Sequence, residues 1–218
     1  MSILSAKRIR ISEIFFSLQG EASRVGLPTV FVRLTGCPLR CSYCDTDYAF
    51  QGGELFSVAA IVGQVKSYPT RHVTVTGGEP LAQKTCHELL SALCDAGFDV
   101  SLETSGALDI EGVDSRVSRI VDLKTPASGE VDRNYWRNLA LLTPRDEVKF
   151  VIADQADYNW AKAILETHSL HRLCPVLFSP VWGQIEPADL AEWILRDGLP
   201  VRLQVQLHKL LWKEAQGR

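Results

Sequence analysis

No stretch of this 218-residue chain approaches the 18 consecutive apolar residues of a membrane-spanning helix, and the opening "MSILSAKRIRISEIFF" lacks the apolar run of a secretory signal. An excess of positive charge is missing as well: 23 Lys and Arg stand against 26 Asp and Glu. No broad basic field is left for nonspecific nucleic-acid binding, so the expected partner is a small molecule, with neither nucleic acid nor membrane. The sequence also has no Gly/Ser/Pro-rich linker and no internal repeat, while 46% apolar and 22% charged residues suit a packed core. One domain, 1–218, in the cytoplasm is therefore expected. In that reducing compartment six cysteines read as metal ligands and buried thiols rather than as three disulfides.

A further absence is local. The segment "GCPLRCSYCDT" (36–46) holds Cys37, Cys41 and Cys44 but no fourth cysteine. A structural zinc site or a simple electron-transfer cluster uses four protein ligands, so a trio points to a metal centre with one position open, which suits catalysis. A zinc reading has to borrow its fourth ligand from His72, Cys86, Cys94, Cys174 or His208, and none of these stands at motif spacing.

Runs rich in β-branched residues predict strands at 29–34, 72–76, 98–104, 119–124, 147–152, 175–180 and 201–206. Helical spacing predicts helices over Ser57 to Tyr68, Pro80 to Ala96, Tyr135 to Leu142, Asp154 to Thr167 and Pro187 to Arg196. Alternation of this kind implies βαβ units and a mainly parallel sheet, whose active site gathers at the carboxyl ends of the strands. The cysteine loop, "GGEP" (77–80), "ETSG" (103–106) and "DLK" (122–124) all fall there. "GGEP" by itself is compatible with an ordinary βα turn. Cys86, Cys94 and Cys174 read as core residues, as do the five tryptophans.

The cysteine spacing and "TGGEP" resemble the radical S-adenosylmethionine (SAM) superfamily. There three cysteines bind a 4Fe-4S cluster whose fourth iron is chelated by SAM, which explains the open position; the fold implied is a modified, partial (β/α) barrel. A denser likeness narrows this: "EIFFSLQGEASRVGLPTVFVRLTGCPLRCSYCDTDYAF", "VTVTGGEP", "LETSG", "DLKTP" and "LQVQLHKLLW" are similar to the 7-carboxy-7-deazaguanine synthase family over nearly the whole chain. That resemblance implies a lyase converting 6-carboxy-5,6,7,8-tetrahydropterin to 7-carboxy-7-deazaguanine with loss of ammonia, in queuosine biosynthesis. It implies cluster ligands Cys37, Cys41 and Cys44, and magnesium at Thr46. It places SAM against Tyr43, Asp45, Gly78, Glu79, Ser105, Asp122, Lys124 and Ser179, and substrate against Leu18, Gln19, Gly20, Glu21, Arg33, Thr76 and His208. An external one-electron donor of flavodoxin type and a homodimer are also implied. Arg33 suits a two-bond carboxylate clamp, with a surface ion pair as its plainer reading; Thr46 on its own would be a turn residue and His208 a strand-end structural group. Ala22 departs from the family, which carries glycine there, and the chain runs on past "HKLLW". The rival readings are an activase for glycyl-radical enzymes and a noncatalytic zinc or iron-sulfur module.

Overall fold

Nine strands form in the computed structural model, which describes residues 7–213, 215 and 217: β1 (Arg8–Leu18), β2 (Pro28–Leu34), β3 (Glu54–Ser57), β4 (His72–Gly77), β5 (Asp99–Thr104), β6 (Ser118–Asp122), β7 (Glu147–Ile152), β8 (Val176–Pro180) and β9 (Arg202–Leu203). They join one sheet in the order β3-β1-β2-β4-β5-β6-β7-β8-β9, parallel from β2 to β9, with β1 antiparallel to both β2 and β3. The sheet keeps two edges, β3 and β9, and so is an open, partial barrel. Its inner strands read as apolar runs because both faces are covered, as β8 shows with five buried residues in succession.

Helices α1 (Val58–Val65), α2 (Cys86–Asp95), α3 (Gln155–Thr167) and α4 (Pro187–Asp197) cover the outer face, and α5 (Leu207–Trp212) follows β9. Local chemistry fixes their starts: the Ser57 hydroxyl accepts from the Ala60 N–H, the Asp154 carboxylate from the Asp157 N–H, and Pro187 opens α4. The buried core runs from Val30, Val32 and Leu34 through Leu89, Leu93, Phe150 and Tyr158 to Phe178 and Leu190.

Three predicted elements differ. Residues 80–96 break into a 3₁₀ turn (Pro80–Ala82) and α2, because Glu79 caps the short turn and the chain must restart before Cys86. The segment Trp136–Leu141 is 3₁₀ rather than α. The strand expected over 201–206 pairs only at Arg202–Leu203, since Gln204 turns inward to accept from the Ala22 N–H at 2.8 Å. His208 consequently sits in helix α5, not at a strand end.

Candidate active site

Register alone assembles one wall of the site. Arg33 on β2 pairs with Thr76 on β4, and the Thr76 hydroxyl donates to Glu103 Oε2 on β5 at 2.9 Å. Asp122 on β6 pairs with Lys149 on β7. These side chains share the concave face at the carboxyl ends of the strands and line a cleft of about 500 Å³.

The floor arrives from the opposite direction. Because β1 is antiparallel, Leu18 pairs with Pro28, the first residue of β2, so residues 19–27 start at the amino ends of the parallel strands. Residues 19–22 turn into the sheet's interior, fastened by Ala22 N–H to Gln204 and Gln19 Nε2 to Thr74 Oγ1 at 3.0 Å; the return over 23–27 is largely exposed and begins with Ser23 N–H donating to Glu147. Gly20 is required here: a Cβ at this position would run into the His208 ring, and its carbonyl accepts from Leu207 N–H at 3.0 Å. Ala22 takes a left-handed φ of 62°, which is why glycine is the easier residue at that turn; its methyl is buried against Ile120 and Leu177.

At the rim, the cysteine loop and "GGEP" are stitched together. Glu79 N–H donates to Gly36 O at 2.8 Å and Gly78 N–H to Leu34 O at 3.1 Å. A Cβ on Gly78 would overlap the Gly36 carbonyl and lie 2.8 Å from Cys37 Cβ, so only glycine lets the two loops approach. Glu79 is fully buried and accepts from Leu81 N–H, Thr104 Oγ1, Ser105 N–H and the Ser105 hydroxyl. Its carboxylate is a fastener inside the loops.

A chain of charge crosses the cleft. Lys209 Nζ lies 2.8 Å from Asp45 Oδ2; Gln206 Nε2 donates to Glu21 Oε1 at 2.8 Å; Lys149 Nζ is 2.7 Å from Glu21 Oε2 and 3.6 Å from Asp122 Oδ2; Lys124 closes the run at 3.1 Å from Asp122. Burial works to raise the Glu21 pKa, but Lys149, Gln206 and His208 outweigh it and hold the group below the ordinary carboxylate range. Glu103 moves the other way, raised by burial and then by Glu21. Against the burial that would raise it, Lys209 brings Asp45 down to about 2, whereas burial pushes Tyr43 up to about 12.

Leu18, Gln19, Gly20, Glu21, Arg33, Cys37, Cys41, Tyr43, Cys44, Asp45, Thr46, Thr76, Gly78, Ser105, Asp122, Lys124 and His208 all line this cleft. Glu79 and Ser179 do not; both are buried behind it. Glu103, Lys149, Gln206 and Lys209 also line it and were not singled out from sequence. Glu103 is the first residue of "ETSG", and Lys149 is, with Glu147, one of two charges in the otherwise apolar "EVKFVI" of a predicted strand.

The Radical SAM superfamily model matches residues 31–167. The chain is 49% identical over 213 residues, 96% of its length, to the 7-carboxy-7-deazaguanine synthase of Chlorobaculum tepidum, covering 97% of that protein. It is 43% identical to the Koribacter versatilis protein of the same name, over 94% of this chain and 97% of that one. The chain belongs to the 7-carboxy-7-deazaguanine synthase family of the radical SAM superfamily. Among solved structures, QueE from Escherichia coli shares the fold with a TM-score of 0.74 at 24% identity, covering 92% of this chain and 95% of that one. No described helix is long and apolar enough to cross a membrane.

The synthase family's cluster fits the donor set present here. Cys37, Cys41 and Cys44 are free, half-buried thiols on one wall of the cleft. Burial raises all three pKa values and the Lys124 ammonium offsets only part of the rise, so the thiols give up their protons as iron binds. A single zinc ion fits poorly. Among the described residues no three His, Cys, Asp or Glu side chains converge on one ion. Cys86 and Cys174 are core residues, Cys94 packs against the core, and His72 lies 3.9 Å from Asp99 at the far ends of their strands.

Proposed function

We propose that this chain converts 6-carboxy-5,6,7,8-tetrahydropterin to 7-carboxy-7-deazaguanine with loss of ammonia, on the route to queuosine. The observation that carries the reading is the meeting, in one cleft, of three free thiols with groups suited to a carboxylated pterin. When bound, the cluster and SAM supply hydrogen-atom abstraction, which acid-base side chains cannot perform. The chain's own residues bind, orient and enclose.

Arg33 is held by Glu13, whose Oε1 accepts from Arg33 Nε at 2.7 Å, and its terminal nitrogens are left for the substrate carboxylate. The ionised Glu21 accepts from the N–H-rich pterin edge, while the Gln19 amide is fixed by Thr74 and lies 3.4 Å from Glu103. His208 covers the floor over Gly20. SAM would lie against Gly78, Ser105, Asp122 and Lys124, with the buried Glu79 fastening Ser105 from behind. Magnesium would take the Thr46 hydroxyl, whose Oγ1 sits 3.0 Å from Asp45 Oδ1; a hard ion that keeps several waters needs few protein oxygens. A flavodoxin-type electron donor, a homodimer and a cytoplasmic location complete the reading on family resemblance.

The test is anaerobic reconstitution with iron and sulfide, reduction, and incubation with the pterin, SAM and magnesium. A product of the mass of 7-carboxy-7-deazaguanine is expected. SAM consumption with the pterin unchanged overturns the assignment.

A further inference from the structure

Lys149 has no part in the reading above, yet it lies between the two halves of the site. Its side chain is 12% exposed, and its ammonium meets Glu21 on the substrate side and Asp122 on the side expected to border SAM. An enclosed ammonium is costly unless paired, and losing one partner of a buried pair leaves the other charge stranded. We infer that Lys149 is a positioning residue that fixes the Glu21 carboxylate, ionised, against the pterin and ties it to the Asp122–Lys124 pair. The substrate's identity rests on the proposed function; the geometry does not.

The consequence follows from what faces Glu21. Glu103 approaches from β5, Asp122 from β6 and Lys149 from β7; Asp45 comes from the cysteine loop, and Gln206, His208 and Lys209 from the C-terminal segment. Among these, only Lys149 gives Glu21 a charged hydrogen bond. Without it, Glu21 and Glu103 become two enclosed carboxylates with neutral donors alone: the Gln206 amide to Glu21, and the Thr76 hydroxyl and, at 3.4 Å, the Gln19 amide to Glu103. Such a pair keeps a proton well above the usual carboxylate range. A protonated Glu21 presents a donor where the pterin edge presents donors.

Lys149→Met is expected to raise KM for the pterin on the order of ten- to a hundredfold, the range for a lost charged hydrogen bond, with a smaller change in kcat. SAM affinity should change less. Activity of the variant should recover as pH rises from about 6 to about 9, because deprotonating the carboxylate pair restores the acceptor. If Lys149 acts through Glu21, adding Lys149→Met to Glu21→Gln costs little beyond Glu21→Gln alone. A readout without substrate runs beside these: ¹³C NMR of labelled glutamate side chains should show Glu21 ionised in the parent and titrating near neutral pH in Lys149→Met. Where that variant fails to fold, Lys149→Met with Asp122→Asn removes one charge of each sign and gives the same Glu21 measurement.

Glu21 titrating below about pH 5 in the variant, or fully additive losses in the double variant, overturns the inference. A parent that leaves the pterin untouched overturns the proposed function instead, and the NMR titration still decides Lys149.

Discussion

Replacing Arg33 with lysine keeps one positive charge and removes a shape, so it separates charge from geometry. Arg33 stands on β2 with its Nε committed to Glu13 at 2.7 Å and its guanidinium 5.8 Å from the centres of both the Phe15 and Tyr48 rings. Its side chain is only 16% exposed. A lysine ammonium can reach a carboxylate but cannot hold Glu13 and two carboxylate oxygens in one plane. The loss of one charge-assisted hydrogen bond is worth about 1.5–3 kcal/mol, to which weaker ring contacts add about 0.5 kcal/mol. Glu13 is not stranded, because the Tyr48 hydroxyl still donates to it at 2.8 Å, so no large desolvation cost is added. A total of roughly 2–3.5 kcal/mol corresponds to a fall in kcat/KM of about 30- to 400-fold. Steady-state turnover and anaerobic calorimetry of pterin binding measure it. SAM affinity should stay within about threefold, as Arg33 lies outside the proposed SAM surface. Glu13→Gln, which keeps an acceptor for Nε, should lose less than about tenfold. Unchanged pterin affinity in Arg33→Lys would refute the clamp and leave Arg33 as the partner of Glu13 alone.

Cys41→Ala should abolish the visible absorbance of the reconstituted cluster while Cys94→Ala retains it; the reverse pattern would move the ligand assignment. Gly78→Ala should weaken SAM binding at least on the order of tenfold and lower thermal stability, since its Cβ would overlap the Gly36 carbonyl. A melting curve and SAM calorimetry check both effects, and a variant equal to the parent in both would show that the loops can part. Thr46→Ala should flatten the dependence of turnover on magnesium, with Thr46→Ser milder and the cluster intact; an unchanged magnesium titration would return Thr46 to a turn residue.

The parallel sheet was legible because its strands are buried on both faces and their apolar runs need no tertiary information. The cysteine loop was legible because metal ligation demands residue types that cannot be interchanged. What escaped was decided by contact across the chain. Strand β3 is four residues of an edge, "ELFS", with no alternation that separates it from a loop. The end of β9 gives way because Gln204 serves Ala22, 182 residues earlier in the sequence. Glu79 reads as a free anion in a turn and becomes an internal fastener only once Thr104 and Ser105 are brought against it. The resemblance supplied Glu21 without its reason, which lies in Lys149 on a strand 128 residues away.

The direction of β1 explains why such distant groups must meet. A purely parallel arrangement would start every strand-to-helix loop at the carboxyl ends of the strands and leave the interior of an open barrel unfilled from below. By entering antiparallel, β1 delivers residues 19–27 to the amino ends, and Gln19 to Ala22 turn into the interior before the chain returns along the surface to β2. That inward turn buries polar backbone, which has to be paired. It is paired by groups from the other half of the chain: the Gln204 side chain takes the Ala22 N–H and the Glu147 carboxylate on β7 the Ser23 N–H, while Gly20 O accepts from the backbone N–H of Leu207. The same turn carries Glu21 into the enclosure, where a carboxylate survives ionised only beside a cation that the sheet already holds there. Lys149 supplies it, and so the element that fills the barrel also fixes the charge on the cleft floor.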